Sequence, residues 1–251
     1  MKQKKLAIGF IFLFVCLYTY SQKSLSIHEF KITSEDNVEI SLFSVTNKDN
    51  IEYRPTILLL HGGGGNKELW IDRRETVQDL YNSGYNVVSM DIRGHGKSDP
   101  QVKGEFTFPI TDLKAVIDWI ENNNQFKSGK IGAIGSSYGS NILTAGVVLW
   151  DLPIETIVLF SVTAAAKRAI NFPQNVRIPP PYKRNKIKSA FFIASDNELE
   201  RYMADEMAEE FYQQTEPTRR KKRILVGRYH GSSLYSFTKV EVLEWLKKEV
   251  W

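Results

Sequence analysis

The sequence holds a single cysteine, Cys16, in 251 residues. Intrachain disulfides and metal sites built on paired cysteines are thereby excluded. Its 4 histidines, His28, His61, His95 and His230, are scattered. No H-E-x-x-H occurs and no G-x-G-x-x-G follows an apolar run, so neither a metal nor a dinucleotide cofactor is implied. Internal repeats, low-complexity stretches and long linkers are also missing, which leaves nothing to divide the chain into separate units. A large excess of one charge is missing too: 33 Lys and Arg stand against 29 Asp and Glu, a net +4. With 42% hydrophobic and 12% aromatic residues, disorder is excluded, and a chain of this length buries about 70 to 75% of its unfolded surface.

The N-terminus has its own character. Lys2, Lys4 and Lys5 precede an uncharged run from Leu6 to Tyr20, and Thr19 and Ser21 occupy the small-residue positions of a signal-peptidase site. Residues 1–21 read as a secretory signal peptide cut before Gln22, and the protein is expected to be exported. An uncleaved membrane anchor is the alternative, for which the run falls short of the roughly 20 residues that cross a bilayer comfortably. Lipid attachment at Cys16 fits less well, because Phe14 and Val15 are bulky. Cleavage leaves one domain, residues 22–251, with 30 basic against 29 acidic residues and no thiol. An exported protein of that kind rests on core packing alone.

Residues 26–33 and 38–45 are rich in β-branched residues and separated by Ser34, Glu35, Asp36 and Asn37, which predicts an antiparallel hairpin. Beyond Pro55 come short continuous apolar runs at Ile57 to Leu60, Asn86 to Met90, Lys130 to Ile134, Thr156 to Phe160, Ala190 to Ala194 and Ile224 to Val226. Strands of that kind are buried on both faces, as in a parallel sheet covered by helices. Ile110, Leu113, Val116, Ile117 and Ile120 recur at helical spacing after Pro109. Residues 233–248 predict a closing helix with Leu234, Phe237, Val240, Leu243 and Leu246 on one face. The fold expected is α/β: a doubly wound, mostly parallel sheet with an N-terminal antiparallel hairpin.

Between one predicted strand and a helical segment lies Gly135-Ser136-Ser137-Tyr138-Gly139, a G-x-S-x-G sequence. A serine on a sharp strand-to-helix turn projects its hydroxyl above the sheet, so Ser137 is a candidate nucleophile. A helix N-cap serine is the structural alternative. On these residues the chain from about Pro55 onward resembles the α/β-hydrolase family, whose chain order is nucleophile, acid, histidine.

The resemblance implies a role for each of several residues. His230 is the sole histidine after Ser137 and follows the last predicted strand, the place of the family's general base. The acid is expected at Asp196, after the strand ending at Ala194, with Glu198 as the alternative. The other position used by relatives, at Ser161-Val162-Thr163, offers no carboxylate. The oxyanion hole would use the backbone N–H of Tyr138 and one from His61-Gly62-Gly63-Gly64-Gly65, with Gly63 the expected donor and Gly64 next. His61 is expected to fix that loop. Asp91-Ile92-Arg93-Gly94-His95-Gly96-Lys97-Ser98 matches a family turn, with Arg93 tying loops together. Its last three residues imitate the end of a phosphate-binding loop, but the glycine required at position 91 is Asp91, and that match fails.

The interval Ser161 to Lys188 is too short for a large helical lid and carries 7 basic residues and no acid. It is read as a solvated flap, with attraction of an anionic substrate or membrane surface as the sharper alternative. Neither this stretch nor Arg219 to Arg223 interleaves aromatics as single-strand nucleic-acid platforms do. The resemblance implies a cofactor-free serine hydrolase acting on small carboxylic esters, with a peptidase, thioesterase or lipase on the same triad as the alternative. A noncatalytic binding protein on the same scaffold is the reading from another class.

Overall fold

The computed structural model describes residues 25–46, 54–72, 75–100, 109–126, 129–176, 183–199 and 202–251. The N-terminal segment expected to be a signal peptide and residues 177–182 of the basic interval lie outside these. Strands β1 (Ile27–Thr33), β2 (Glu39–Val45), β3 (Thr56–Leu60), β4 (Asn86–Met90), β5 (Ile131–Ser136), β6 (Ile154–Phe160), β7 (Ala190–Ser195) and β8 (Arg220–Leu225) form one sheet in the order β1-β2-β4-β3-β5-β6-β7-β8. β1 and β2 pair antiparallel, as the hairpin reading expects, and β2 joins β4 antiparallel. Every other pairing is parallel. The helices are α1 (Leu69–Asp72), α2 (Thr76–Asn82), α3 (Ile110–Asn122), α4 (Tyr138–Leu149), α5 (Ala164–Asn171), α6 (Ala204–Gln214) and α7 (Tyr235–Val250).

The continuous apolar strands do what their composition dictates. Side chains alternate across the sheet, so Leu58 and Leu60 of β3 join the core beneath α3, α4 and α6, while Ile57 and Leu59 join the core beneath α2 and α7. β7 divides the same way, Ala190, Phe192 and Ala194 against Phe191 and Ile193. Apolar residues therefore fill both faces, and the polar loops collect at the strand ends. The strand order reverses direction at β3, between β4 and β5. A crevice at the carboxyl ends of the strands at such a switch point is where this architecture binds ligands.

Two expectations are corrected. The last strand occupies Arg220–Leu225 instead of Ile224–Val226. It is an edge strand, half-exposed along its length, so its pairing carries no apolar signature. Leu246 of α7 and Leu234 just before the helix are buried, but Phe237 and Val240 are 54% and 66% exposed. Residues spaced strictly by three fall back about 60° per step around a helix, so five of them cannot share one face. The buried stripe is Tyr235, Thr238, Val242, Trp245, Leu246 and Glu249, which alternates three- and four-residue steps.

Candidate active site

β5 runs directly into α4, and Ser137 sits between them at φ 49°, ψ −104°, outside the regions a serine prefers. The turn is possible because its neighbours are small. A Cβ on Gly135 would come within 2.6 Å of the Ser140 nitrogen, and one on Gly139 within 2.5 Å of the Leu60 carbonyl. The Ser137 N–H donates to the Phe160 carbonyl at 2.7 Å, which anchors the elbow to β6. Its side chain makes no capping bond to α4, so the helix-cap alternative is not what the hydroxyl does.

That hydroxyl lies 2.8 Å from His230 Nε2, and His230 Nδ1 lies 2.6 Å from Glu198 Oε2. A carboxylate can only accept, so Nδ1 carries the proton and Nε2 is left to accept from Ser137. Glu198 is 2% exposed in its side chain and His230 33%. The remaining carboxylate oxygen, Oε1, accepts from the Ser195 N–H at 3.1 Å and the Ser161 hydroxyl at 2.7 Å. Tyr202 stacks on the imidazole, with ring centroids 4.5 Å apart and planes inclined by 23°.

The expectation that Asp196 partners His230 is corrected. Asp196 is exposed, and its Oδ1 accepts from the Gly227 N–H at 3.0 Å. Its own N–H still pairs with the Leu225 carbonyl of β8 at 2.9 Å, which holds it in line with the strand. The chain turns only after it, and the carboxylate that swings back over β6 is Glu198, two residues on and one methylene longer. Asp196 instead braces the loop that carries His230.

Gly62, Gly63, Gly64 and Gly65 border the same cavity as Ser137, Tyr138 and His230, a space of about 540 Å³. A Cβ on Gly63 would approach the Tyr138 Cβ at 4.0 Å, whereas one on Gly64 would meet nothing. Of the two loop glycines named as donors, Gly63 is therefore the one beside Tyr138. Behind the loop, His61 is buried, its Nδ1–H donating to the Gly62 carbonyl at 2.7 Å and its Nε2 accepting from the Ile92 N–H at 3.0 Å. Burial pushes its pKa down to about 4, so it stays neutral and serves as the strut expected of it.

The loop after β4 completes this bracing. Asp91 accepts from the Lys67 N–H at 2.7 Å, from Lys67 Nζ at 3.0 Å and from the Lys97 N–H at 2.9 Å. The side chains of Asp91 and Lys67 are both fully buried. Arg93 donates to Asp112 of α3, to Thr111 and to Asp36 in the β1–β2 turn, so it does tie loops together.

Sequence reasoning passed over Asn141, Thr163, Tyr202 and Ser232, all of which line the cavity. Asn141 and Thr163 hold each other, amide to hydroxyl at 2.9 Å and backbone N–H to amide oxygen at 2.8 Å. The available signal was position: Asn141 follows Ser137 by one helical turn, and Thr163 lies just past the end of β6. In the basic interval, Lys167 pairs with Glu210 at 2.8 Å and Lys188 with Asp151 at 3.2 Å. Arg184 donates to Asn171 at the end of α5 at 2.9 Å.

Sheet order, elbow and loop placement define an α/β-hydrolase fold, and residues 55–162 match the sequence model of the alpha/beta hydrolase fold family. The esterase Pf2001 of Pyrococcus furiosus superimposes with a TM-score of 0.68 at 23% identity, over 90% of this chain and 94% of that one. The ferulic-acid-bound Est1E of Butyrivibrio proteoclasticus does so with a TM-score of 0.65 at 17% identity, over 88% and 98%. Among curated proteins, the 2-hydroxy-6-oxononadienedioate/2-hydroxy-6-oxononatrienedioate hydrolase of Escherichia coli K12 is 30% identical over 106 residues. That match takes in 41% of this chain and about a third, 35%, of the relative's length.

Proposed function

We propose that this protein is a serine hydrolase that cleaves carboxylic esters through an acyl-enzyme on Ser137, with His230 as general base and Glu198 as the acid that orients it. The observation that carries this reading is the unbroken chain from Ser137 Oγ through the imidazole to Glu198. As Ser137 oxygen bonds to the ester carbonyl carbon, its proton passes to His230 Nε2 and the carbonyl π electrons move onto oxygen. Glu198 stabilises the imidazolium that forms. The N–H groups of Tyr138 and Gly63 are assigned to the oxyanion. Collapse expels the alcohol, which takes the proton from Nε2, and water repeats the sequence to release the acid and restore Ser137.

The lining favours an uncharged acyl group. Among the described residues, no Lys, Arg, Asp or Glu borders the cavity, and a carboxylate-bearing substrate would lie there without a counter-charge. An uncharged substrate is therefore favoured over a dianion such as the dioates in the names of the curated relatives. For the basic interval, the ion pairs of Lys167 and Lys188 support a solvated face more than an anionic partner. Salt dependence of the rates on charged and neutral esters separates the two, since an anion-attracting surface predicts a steeper fall for the charged ones. Lys2, Lys4, Lys5 and the apolar run after them support export with cleavage before Gln22, and N-terminal sequencing of the fractionated protein decides it.

The direct test is hydrolysis of nitrophenyl esters, from short to long acyl chains, by wild type and Ser137→Ala. Wild type is expected to turn over and the variant to be inactive. Equal activity would refute Ser137 as nucleophile, and equal inactivity would give the noncatalytic reading precedence.

A further inference from the structure

Ser161 follows β6 and is fully buried, at φ +57°. A side chain in this left-handed region is held there against its own preference, and glycine would suit the backbone better. What serine supplies is a hydroxyl, and both its capacities are used. It donates to Glu198 Oε1 at 2.7 Å and accepts from the Gly231 N–H at 2.9 Å. Gly231 is the residue after His230. One hydroxyl thus joins the loop carrying the carboxylate to the loop carrying the imidazole. The Ser161 N–H donates to the Ile193 carbonyl of β7 at 2.8 Å, so the junction is fixed to the sheet.

We propose that Ser161 is a positioning residue: it sets the rotamer of Glu198 and the approach of His230 together, so that Oε2 faces Nδ1 while Nε2 faces Ser137. The inference rests on the ester-hydrolase reading of the same site but concerns a residue that touches no reacting atom. A glutamate has one more rotatable bond than an aspartate, and its carboxylate can turn away from the imidazole unless its other oxygen is held. Ser195 N–H and Ser161 Oγ hold that oxygen. Ser195 reaches the histidine loop at Gly227 through its own hydroxyl, whereas Ser161 reaches it with the same hydroxyl that holds Glu198, at Gly231 beside His230.

The test compares wild type with Ser161→Gly and Ser161→Ala. Glycine accepts the backbone conformation, so a loss in that variant belongs to the hydroxyl, and alanine keeps the Cβ. On a short-chain nitrophenyl ester both variants are expected to lose about 10²-fold in kcat with KM little changed, the scale of a displaced catalytic group. In the proton spectrum of labelled protein, the His230 Nδ1–H resonance, held downfield by the carboxylate, is expected to broaden or move upfield in both. An unchanged resonance, or an unchanged kcat in a folded variant, overturns the proposal. If wild type hydrolyses no ester, the ester reading fails, while the resonance comparison still decides the role of Ser161.

Discussion

The loops on the two sides of Ser137 are held by different chemistry. On the glycine-loop side the fixtures are ionic and buried: Lys67 against Asp91, and Arg93 against Asp112 with Asp36 beyond it. On the acid and histidine side they are hydrogen bonds from backbone amides to hydroxyls and to one exposed carboxylate. Ser161 spans Glu198 and Gly231, Ser136 takes the Ser232 N–H at 2.8 Å, and Asp196 takes the Gly227 N–H. Removing one member of a buried ion pair strands its partner's charge, whereas removing a hydroxyl costs only a hydrogen bond. The first side is therefore bound up with folding. The second can be altered while the fold persists, so its changes are read mainly in rate.

The sharpest break is Glu198→Gln, which keeps the shape and removes the charge that the imidazolium needs. It is expected to lower kcat on the order of 10³- to 10⁴-fold, with the urea midpoint little changed. Asp91→Ala should do the reverse, costing about 3 to 5 kcal/mol, because buried Lys67 keeps only the partly exposed Glu68 and Glu29 and the Lys67 and Lys97 N–H groups lose their acceptor. The urea midpoint would fall at constant slope. Arg93→Met should cost a similar amount by stranding Asp112, and Arg93→Met with Asp112→Leu should recover most of it, since a buried pair can be replaced by packed apolar groups. A double variant no better than the single one would show that the charges are not coupled as described.

Asp196→Asn separates the two carboxylates of the turn after β7. It should stay within about 0.5 kcal/mol of wild type in stability and lose far less activity than Glu198→Gln. Equal losses would return the acid role to Asp196. The smallest effect concerns pH. Hydrogen bonding from Arg93 holds the Asp36 carboxyl below its ordinary value. Its contribution to stability is present above the unfolded-state value, near pH 4, and disappears as pH falls through the lowered folded-state value. Denaturation midpoints across that window should fall less steeply in Asp36→Asn than in wild type.

Much of this was legible in the sequence because it follows from local rules. Continuous apolar runs announced the central strands, and the small residues around Ser137 announced the elbow. The acid was harder. Ser195-Asp196-Asn197-Glu198 offers two carboxylates within one turn, and which of them returns over the sheet depends on how long Asp196 stays paired with β8. Ser161 was noticed only for lacking a carboxylate, yet its hydroxyl fastens the carboxylate that arrives from the next strand. The charged edge strand and the buried stripe of α7 were misread for geometric reasons. A pairing partner on one side alone needs no apolar pattern, and three-residue spacing precesses around a helix.

The make-up of that edge strand also bears on how copies of the protein meet. Arg220, Lys221, Lys222 and Arg223 leave the outer rim of the sheet densely cationic, and Lys221 and Lys222 reach across to Glu241 and Glu209 on the flanking helices. A second chain attempting to add itself as a ninth strand would bring a like charge to that rim, or force those contacts to open. At the β8 edge, one of the two ends of the sheet, this charge disfavours strand addition by another copy.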